Sequence, residues 1–209
     1  MLYLNVPFEE KDEVKALYAK WDNNAKKWYA TNPKYYYKFS KWIKGNLVFS
    51  NSVIIAEGKV KCWKCQNEIS VYGFAVDSKN ISDITYNKPV DISYLTGFDL
   101  QIWPISNENI PKKIQNLLKD NFKCKIKYSK TMNKNYLGNT CPFCNSLQGE
   151  YFLHMEPDSP FGELGDSNLL LHKIKLKEDI VSYLSIDVYI DPPVSFFKRS
   201  SFVETEYVI

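Results

Sequence analysis

Cys62-Trp63-Lys64-Cys65-Gln66-Asn67 and Cys141-Pro142-Phe143-Cys144-Asn145 are the two stretches whose reading decides the fold. Zinc favours four soft ligands in a tetrahedron, with Zn–S near about 2.3 Å. One C-x-x-C turn offers two thiolates from one side, and a second turn closes the set. Pro142 stiffens its turn, and Asn145 tolerates the left-handed backbone that aims amide hydrogens at sulfur. The first turn is looser, and Lys64 offers charge compensation. Strand-like sequence flanks the first turn on both sides and follows the second, as in a zinc ribbon. The expectation is one structural zinc per chain, held by Cys62, Cys65, Cys141 and Cys144.

Seventy-five residues separate Cys65 from Cys141, against roughly 15–20 in a simple ribbon. The ribbon is therefore expected to be discontinuous, its halves joined by an intervening fold. Two competing readings are unrelated pairs of reduced thiols and a thioredoxin-like redox pair. The redox reading is weak, because neither pair opens a helix in a βαβ pattern. Four thiolates leave no open position for water or substrate, so a bound zinc would be structural. Cys124 alternates with lysines in Lys123-Cys124-Lys125-Ile126-Lys127 and is expected to face the core.

Outward from the cysteines, the body from residue 46 to 209 reads as β-rich. Strands are expected over Leu47–Ala56, Ser70–Val76 and Asp99–Trp103, and near Lys123–Lys130, Glu150–Met155, Leu169–Leu176 and Tyr183–Ile190. Leu170, His172, Ile174 and Leu176 recur with period two and should share a face. One clear helix, about Ile110 to Phe122, carries Ile110, Ile114, Leu117, Leu118 and Phe122 at three-to-four spacing. Glu156 to Gly162 is a turn-rich break.

Residues 1–45 read as a separate small unit. Eleven of the 32 aromatic residues fall there, together with nine lysines and five acids. Tyr3 to Pro7 suggests a strand. Asp12 can cap a helix through about Lys20, with Val14, Leu17 and Tyr18 on one side. Trp21 to Tyr29 reads as two strand edges about an Asp-Asn-Asn turn. A second helix is expected from Pro33 to Lys44, with Asn32 as N-cap and Gly45 just past its end. Its apolar face would hold Tyr35, Tyr36, Phe39, Trp42 and Ile43. The whole is thus an α+β chain: a small aromatic, lysine-rich αβ unit and a mostly antiparallel β body.

The 209 residues are 44% hydrophobic and 24% charged, which excludes a disordered or fibrous chain. No apolar run approaches the roughly 18–20 residues of a membrane span, and the first residues lack an export-signal pattern. A cytoplasmic location with no membrane partner is expected. The formal net charge is +3, and zinc with four thiolates would lower it to +1. Any polyanion would therefore have to meet the first 45 residues. The two histidines, His154 and His172, sit in no metal-hydrolase context, and no phosphate loop or nucleophile elbow is present. These absences argue against an enzyme and identify no small-molecule substrate.

The segment Tyr3-Leu4-Asn5-Val6-Pro7-Phe8-Glu9-Glu10-Lys11, followed by Ala16-Leu17, Ala19-Lys20-Trp21-Asp22 and Ala25-Lys26-Lys27-Trp28-Tyr29, resembles a short domain of unknown function. That domain occurs in bacterial and mobile-element proteins, including primase-type proteins. Its pattern is roughly Y-L-x-V-P-[YF]-x-E-K-x-x-A-K-x-L-G-A-x-W-D-x-x-x-K-x-W-Y, and the match spans about residues 2–43. Val14 replaces its usual alanine. Tyr18 replaces its glycine, which suggests a helix that continues where relatives turn. The resemblance implies a DNA-processing context and no agreed activity.

Between Lys20 and Lys44, seven lysines alternate with eight aromatics and one acid, Asp22. Lysines can neutralise phosphates while aromatic faces stack on unpaired bases. Lys26, Lys27, Lys34, Tyr37, Lys38, Lys41 and Lys44 are therefore the candidate nucleic-acid contacts. The alternative is a protein-interaction role, of the inhibitor or immunity type, since tyrosine and tryptophan are enriched at protein interfaces.

Overall fold

The computed structural model describes residues 1–77, 80–85, 100–106, 108, 110–162, 165–183 and 196–209. It is an α+β fold with few helices and mostly antiparallel strands.

At the N-terminus β1 (Leu2–Leu4), β2 (Lys20–Asp22) and β3 (Lys27–Ala30) form an antiparallel sheet in the order β1-β3-β2. Trp21 faces Trp28 across the β2–β3 hairpin, with ring centroids 5.4 Å apart. Asp22 closes the turn by accepting from the backbone N–H groups of Asn24 and Ala25 and from the Tyr3 hydroxyl.

Helix α1 (Lys11–Ala16) is shorter than expected. The chain does not continue helically through Tyr18, which adopts φ +67°. Ala19 N–H donates to the Val14 carbonyl and Tyr18 N–H to that of Lys15. These are the paired bonds of a Schellman closure. Tyr18 thus occupies the left-handed position where the family pattern has glycine.

Pro33–Trp42 is a 3₁₀ helix and not an α-helix, with Asn32 accepting at its cap from Lys34 N–H. Three residues per turn aligns Tyr36, Phe39 and Trp42, and these three are buried. Tyr35, expected inward at α-helical spacing, is 41% exposed. The tyrosine run favours an α-helix weakly, and burial at every third residue selects the tighter form.

The body is built on a five-stranded sheet. The expected strand Leu47–Ala56 is two strands, β4 (Leu47–Phe49) and β5 (Ser52–Lys61). Between them Ser52 N–H donates to the Ser50 carbonyl around Asn51, at φ +65°. This kink moves the chain from one sheet to another. Strand β5 pairs with β6 (Glu68–Asp77), which pairs with β8 (Leu100–Trp103). β7 (Ile81–Asp83) joins β4 in a second sheet.

Helix α2 (Lys112–Asn121) lies where the spacing predicts it, starting after Pro111. The hairpin β9 (Lys125–Ser129) and β10 (Lys134–Gly138) follows; β10 was not anticipated. Residues Glu150–His154, expected as a strand, form the short helix α3. Only Leu153 of that aromatic run is buried, and Glu150 meets His154 one turn on at 3.4 Å.

β11 (Leu169–Lys175) sits between β5 and the unanticipated β13 (Ser200–Val208), so the order is β13-β11-β5-β6-β8. The β11–β13 pair is parallel. β12 (Ile180–Ser182) pairs with β4. Of the strand expected over Tyr183–Ile190, only Tyr183 is described, and it is exposed; the rest lies outside the described residues.

Both faces of the large sheet are covered. Val53, Ile55, Phe74, Val76 and Ile174 pack with Ile114, Leu118 and Phe122 of the α2 region on one face. Ile54, Ala56, Val71, Ala75, Leu169 and Leu171 pack on the other, with Cys62 and Cys141. Of the face expected from Leu170, His172, Ile174 and Leu176, only Ile174 is buried; Leu170 is 38% exposed, whereas Leu169 and Leu171 are fully buried. A third core joins Leu2, Leu4, Val14, Tyr36, Phe39 and Trp42 to Val48, Ile84 and Val181 of the body. Among the described residues no helix is long and apolar enough to cross a membrane.

Candidate metal centre and lysine-lined cavity

The first cysteine turn lies at the tip of the β5–β6 hairpin, just beyond the Lys61–Glu68 pair. The second follows β10 and is bracketed by the Thr140–Leu147 bridge. The two turns have the same internal bonding. In the first, Cys62 N–H donates to the Asn67 carbonyl, and Gln66 N–H to the Cys62 carbonyl. In the second, Cys141 N–H donates to the Ser146 carbonyl, and Asn145 N–H to that of Cys141. Gln66 and Asn145 both hold left-handed φ, at +60° and +59°. Asn145 was legible as such a residue; Gln66 was not.

All four sulfurs lie within 4.8 Å of one another. Cys62 and Cys144 are 3.6 Å apart, as are Cys65 and Cys141. A tetrahedron with metal–sulfur bonds of about 2.3 Å has sulfur–sulfur edges near ~3.8 Å. The set therefore fits a four-coordinate ion and is far too open for disulfides, which need about 2.05 Å.

Neutral donors surround the sulfurs as thiolates require. The Asn67 amide donates to Cys65 Sγ at 3.3 Å and the Gln148 amide to Cys62 Sγ at 3.5 Å. The Ser146 hydroxyl lies 3.1 Å from Cys144 Sγ and draws that thiol down to about 6. Burial pushes Cys141 up to about 11. Burial also opposes ionisation at Cys62, but hydrogen bonds, the backbone N–H groups of Cys65 and Lys64 foremost, leave its pKa lowered. Lys125 and Lys127 of β9 reach Asn145, placing cationic charge beside the second turn.

The halves are clamped by contacts that sequence reasoning missed. Trp63 Nε1 donates to the Leu147 carbonyl at 2.8 Å. Buried Asn139 accepts from Tyr72 N–H at 2.7 Å and donates to the Tyr72 carbonyl at 2.9 Å. Its side-chain amide thus stands in for a strand partner of β6. The Asn-Thr pair before Cys141 was the available signal, since a short amide is what can mimic a peptide there. Cys124 is buried, its Sγ 3.5 Å from the Phe122 carbonyl, and burial raises its pKa strongly.

The candidate lysines divide into groups. Lys26 and Lys27 line a cavity of about 650 Å³ with Lys11, Phe8, Trp21 and Trp28. None of its ten lining residues is acidic. Lys34 and Lys38 flank Tyr35, their Nζ atoms 5.9 and 5.1 Å from its ring centre. Lys41 is bound to Glu10 at 3.1 Å and Glu13 at 2.8 Å. Lys44 is exposed and Tyr37 half-buried. Lys11 and Phe8 lie outside the Lys20–Lys44 stretch, and only the turn of the chain brings them to Lys26 and Lys27.

Elsewhere, His172 Nε2 lies 2.8 Å from Glu57 Oε2. His154 is nearly buried, its ring centre 5.0 Å from that of Phe161.

These features define a class: an α+β chain with a split four-cysteine centre that could hold a metal ion, and a cationic, aromatic N-terminal unit. Residues 1–44 match the family described as Domain of unknown function (DUF5710). The same region is similar to DNA primase TraC from Escherichia coli, 55% identical over 40 residues, which is 19% of this chain and 4% of that protein. A second Escherichia coli DNA primase TraC is 44% identical over 43 residues, 21% of this chain and 3% of that protein. The matched part is thus a small fraction of those relatives. No solved structure matches the chain.

Proposed function

We propose that this chain is a non-enzymatic binding module, stabilised by one structural zinc and directed at nucleic acid through its Lys20–Lys44 region. The metal supported best by four thiolates in this compact set is zinc, which accepts all-sulfur tetrahedral ligation without redox chemistry. Cys62, Cys65, Cys141 and Cys144 are its proposed ligands. The chain's own contribution is to hold those thiolates with Asn67, Ser146 and Gln148 and to offset their charge with Lys125 and Lys127.

The observation that carries the ligand assignment is how the aromatic run divides. Tyr36, Phe39 and Trp42 form the core, whereas all seven lysines from Lys20 to Lys44 are exposed, with Trp21 and Tyr35 beside them. Core building therefore leaves both cations and aromatic faces on the surface. The likeness of residues 1–44 to DNA primases supports the same context, a DNA-processing protein of a bacterial mobile element.

A second reading has its own observation. Near the metal centre, a cavity of about 490 Å³ is lined by Trp63, Met132, Tyr136, Leu147, Tyr151 and Phe152. Trp63, Met132, Tyr151 and Phe152 are each more than half exposed. Such a surface favours a protein partner.

Two measurements test the proposal. Protein purified without added metal should contain about one zinc per chain. Cys62→Ser and Cys141→Ser should lose it alike, while Cys124→Ser keeps it. Binding to a labelled DNA oligonucleotide should weaken steeply as salt rises. Salt-insensitive capture of a protein, with no DNA binding, would favour the second reading.

A further inference from the structure

The cavity between the first turn of the chain and the β2–β3 hairpin combines three features that the rest of the described surface does not explain. Its aromatic side chains are presented outward and not consumed by the core: Phe8 is 75% and Trp21 44% exposed. Trp28 stands edge-on to Trp21, bracing it from below. Lys11, Lys26 and Lys27 line the cavity beside these rings, with Lys11 Nζ 4.0 Å above the Phe8 ring centre and Lys27 Nζ turned to Tyr3, 5.8 Å from its ring centre.

No carboxylate lines the cavity: Glu9 and Asp12, beside Phe8 and Lys11 in sequence, are exposed, and Asp22 and Glu10 are engaged elsewhere. Asp22 is turned into the hairpin by three hydrogen bonds, and Glu10 is bound to Trp42 Nε1 and Lys41. The cavity therefore carries positive charge beside open aromatic faces. It is a depression open to solvent, and its volume of about 650 Å³ leaves room for a small organic group.

Lys26 lines the cavity from the hairpin. It ends the four-residue hairpin loop with φ +51°, a conformation that costs an L-residue about 1–2 kcal/mol and that glycine adopts freely.

We infer that this cavity seats an unpaired nucleotide of a single nucleic-acid strand. The base stacks on Trp21 and Phe8, and the flanking phosphates meet Lys11 and Lys26. The inference rests on the nucleic-acid reading above and narrows it. In a duplex each base face is already covered by its neighbours, so these rings have nothing to stack on. In a single strand every base offers a face, which makes such a site tolerant of sequence.

The 209-residue chain, purified with zinc present, is titrated with a labelled oligothymidylate of about 15 nucleotides, and separately with a duplex of the same length. Binding is followed by anisotropy and by tryptophan fluorescence. The single strand should bind more tightly and quench tryptophan. Trp21→Ala and Phe8→Ala should each weaken it roughly 5- to 100-fold, with Trp21→Phe recovering part of the loss. Lys11→Gln should lower the slope of log affinity against log salt by about 0.7.

Lys26→Gly separates a ligand role from a folding role: it should weaken binding while leaving thermal stability equal or higher. Equal affinity for duplex and single strand would overturn the inference. So would single-strand binding that survives Trp21→Ala and Phe8→Ala together but is lost on Lys34→Gln with Lys38→Gln; the broader nucleic-acid reading would then stand. Competition by deoxythymidine monophosphate as effective as by the oligonucleotide would replace the strand with a free nucleotide. Absence of binding to either nucleic acid would overturn both readings.

Discussion

Single residues carry two consequences that can be measured directly. Tyr18 is 89% exposed, so its side chain contributes no packing, yet its backbone is left-handed. Tyr18→Gly should therefore raise stability by about 1 kcal/mol in urea unfolding, from relief of that backbone cost. No change, or a loss, would mean that the left-handed closure of α1 is not the strained point. Asn139 is the opposite case. Its amide satisfies both backbone groups of Tyr72 in a buried position. Asn139→Ala leaves a donor and an acceptor without partners and should cost about 2–4 kcal/mol, readable as a lowered unfolding midpoint. The two residues differ in legibility. Tyr18 sat opposite a glycine in a recognisable pattern, and the loss of that glycine, with Val14, Leu17 and Tyr18 at helical spacing, argued for continuing the helix. Asn139 had no periodic signature, because its partner is 67 residues away.

At the scale of elements, α2 was legible because one face is apolar at helical spacing and the other is polar. The continuous apolar run from Leu47 was legible as strand but not as two strands. Its burial on both faces erases the alternation that would mark a change of sheet, and Asn51 is the sole local sign. β13 was invisible for another reason: most of its residues are exposed, and it pairs in parallel with a strand far back in the chain. Where strands meet, side chains meet across them. Glu57 on β5 receives Ser70 from β6, His172 from β11 and Lys59 from its own strand. Burial pushes its carboxyl up, but these hydrogen bonds outweigh that and hold it below its ordinary value. A carboxyl depressed on folding stabilises the protein above its unfolded pKa of about 4.3, and that contribution is lost as pH falls through the folded value. The stability gap between the wild type and Glu57→Gln should accordingly be widest near neutrality and close as the wild-type carboxyl protonates below about pH 4. A gap constant with pH would show that Glu57 acts through packing and not through its charge.

For the molecule as a whole, the cysteine centre was legible because ligand chemistry is written in residue type and local spacing, independent of the intervening 75 residues. The union of residues 1–45 with the body was not, because a change of composition at Gly45 marks a boundary without saying whether the two sides pack together. In the structure Gly45 is a point of close approach, where a Cβ would lie 2.3 Å from Val181 Cγ1. Around it Val48, Ile84 and Val181 enter the same core as Tyr36, Phe39 and Trp42. The Tyr36 hydroxyl donates to Asp179 at 2.5 Å, and Asp179 N–H donates to the Met1 carbonyl. Two units that share a core and a buried polar anchor should unfold together. The proposed metal closes a loop of about 75 residues, which by the cross-link estimate is worth about 4 kcal/mol, or roughly 10 °C of melting temperature in a chain of this size. Zinc release, tryptophan fluorescence and far-ultraviolet dichroism should therefore change at one temperature. Chelation should shift the fluorescence and dichroism transitions down by a similar amount. Asp179→Ala should lower zinc release and tryptophan transitions in step, although residue 179 touches no cysteine. An early fluorescence change with zinc retained to higher temperature would instead separate residues 1–45 from the body as an independently folding unit.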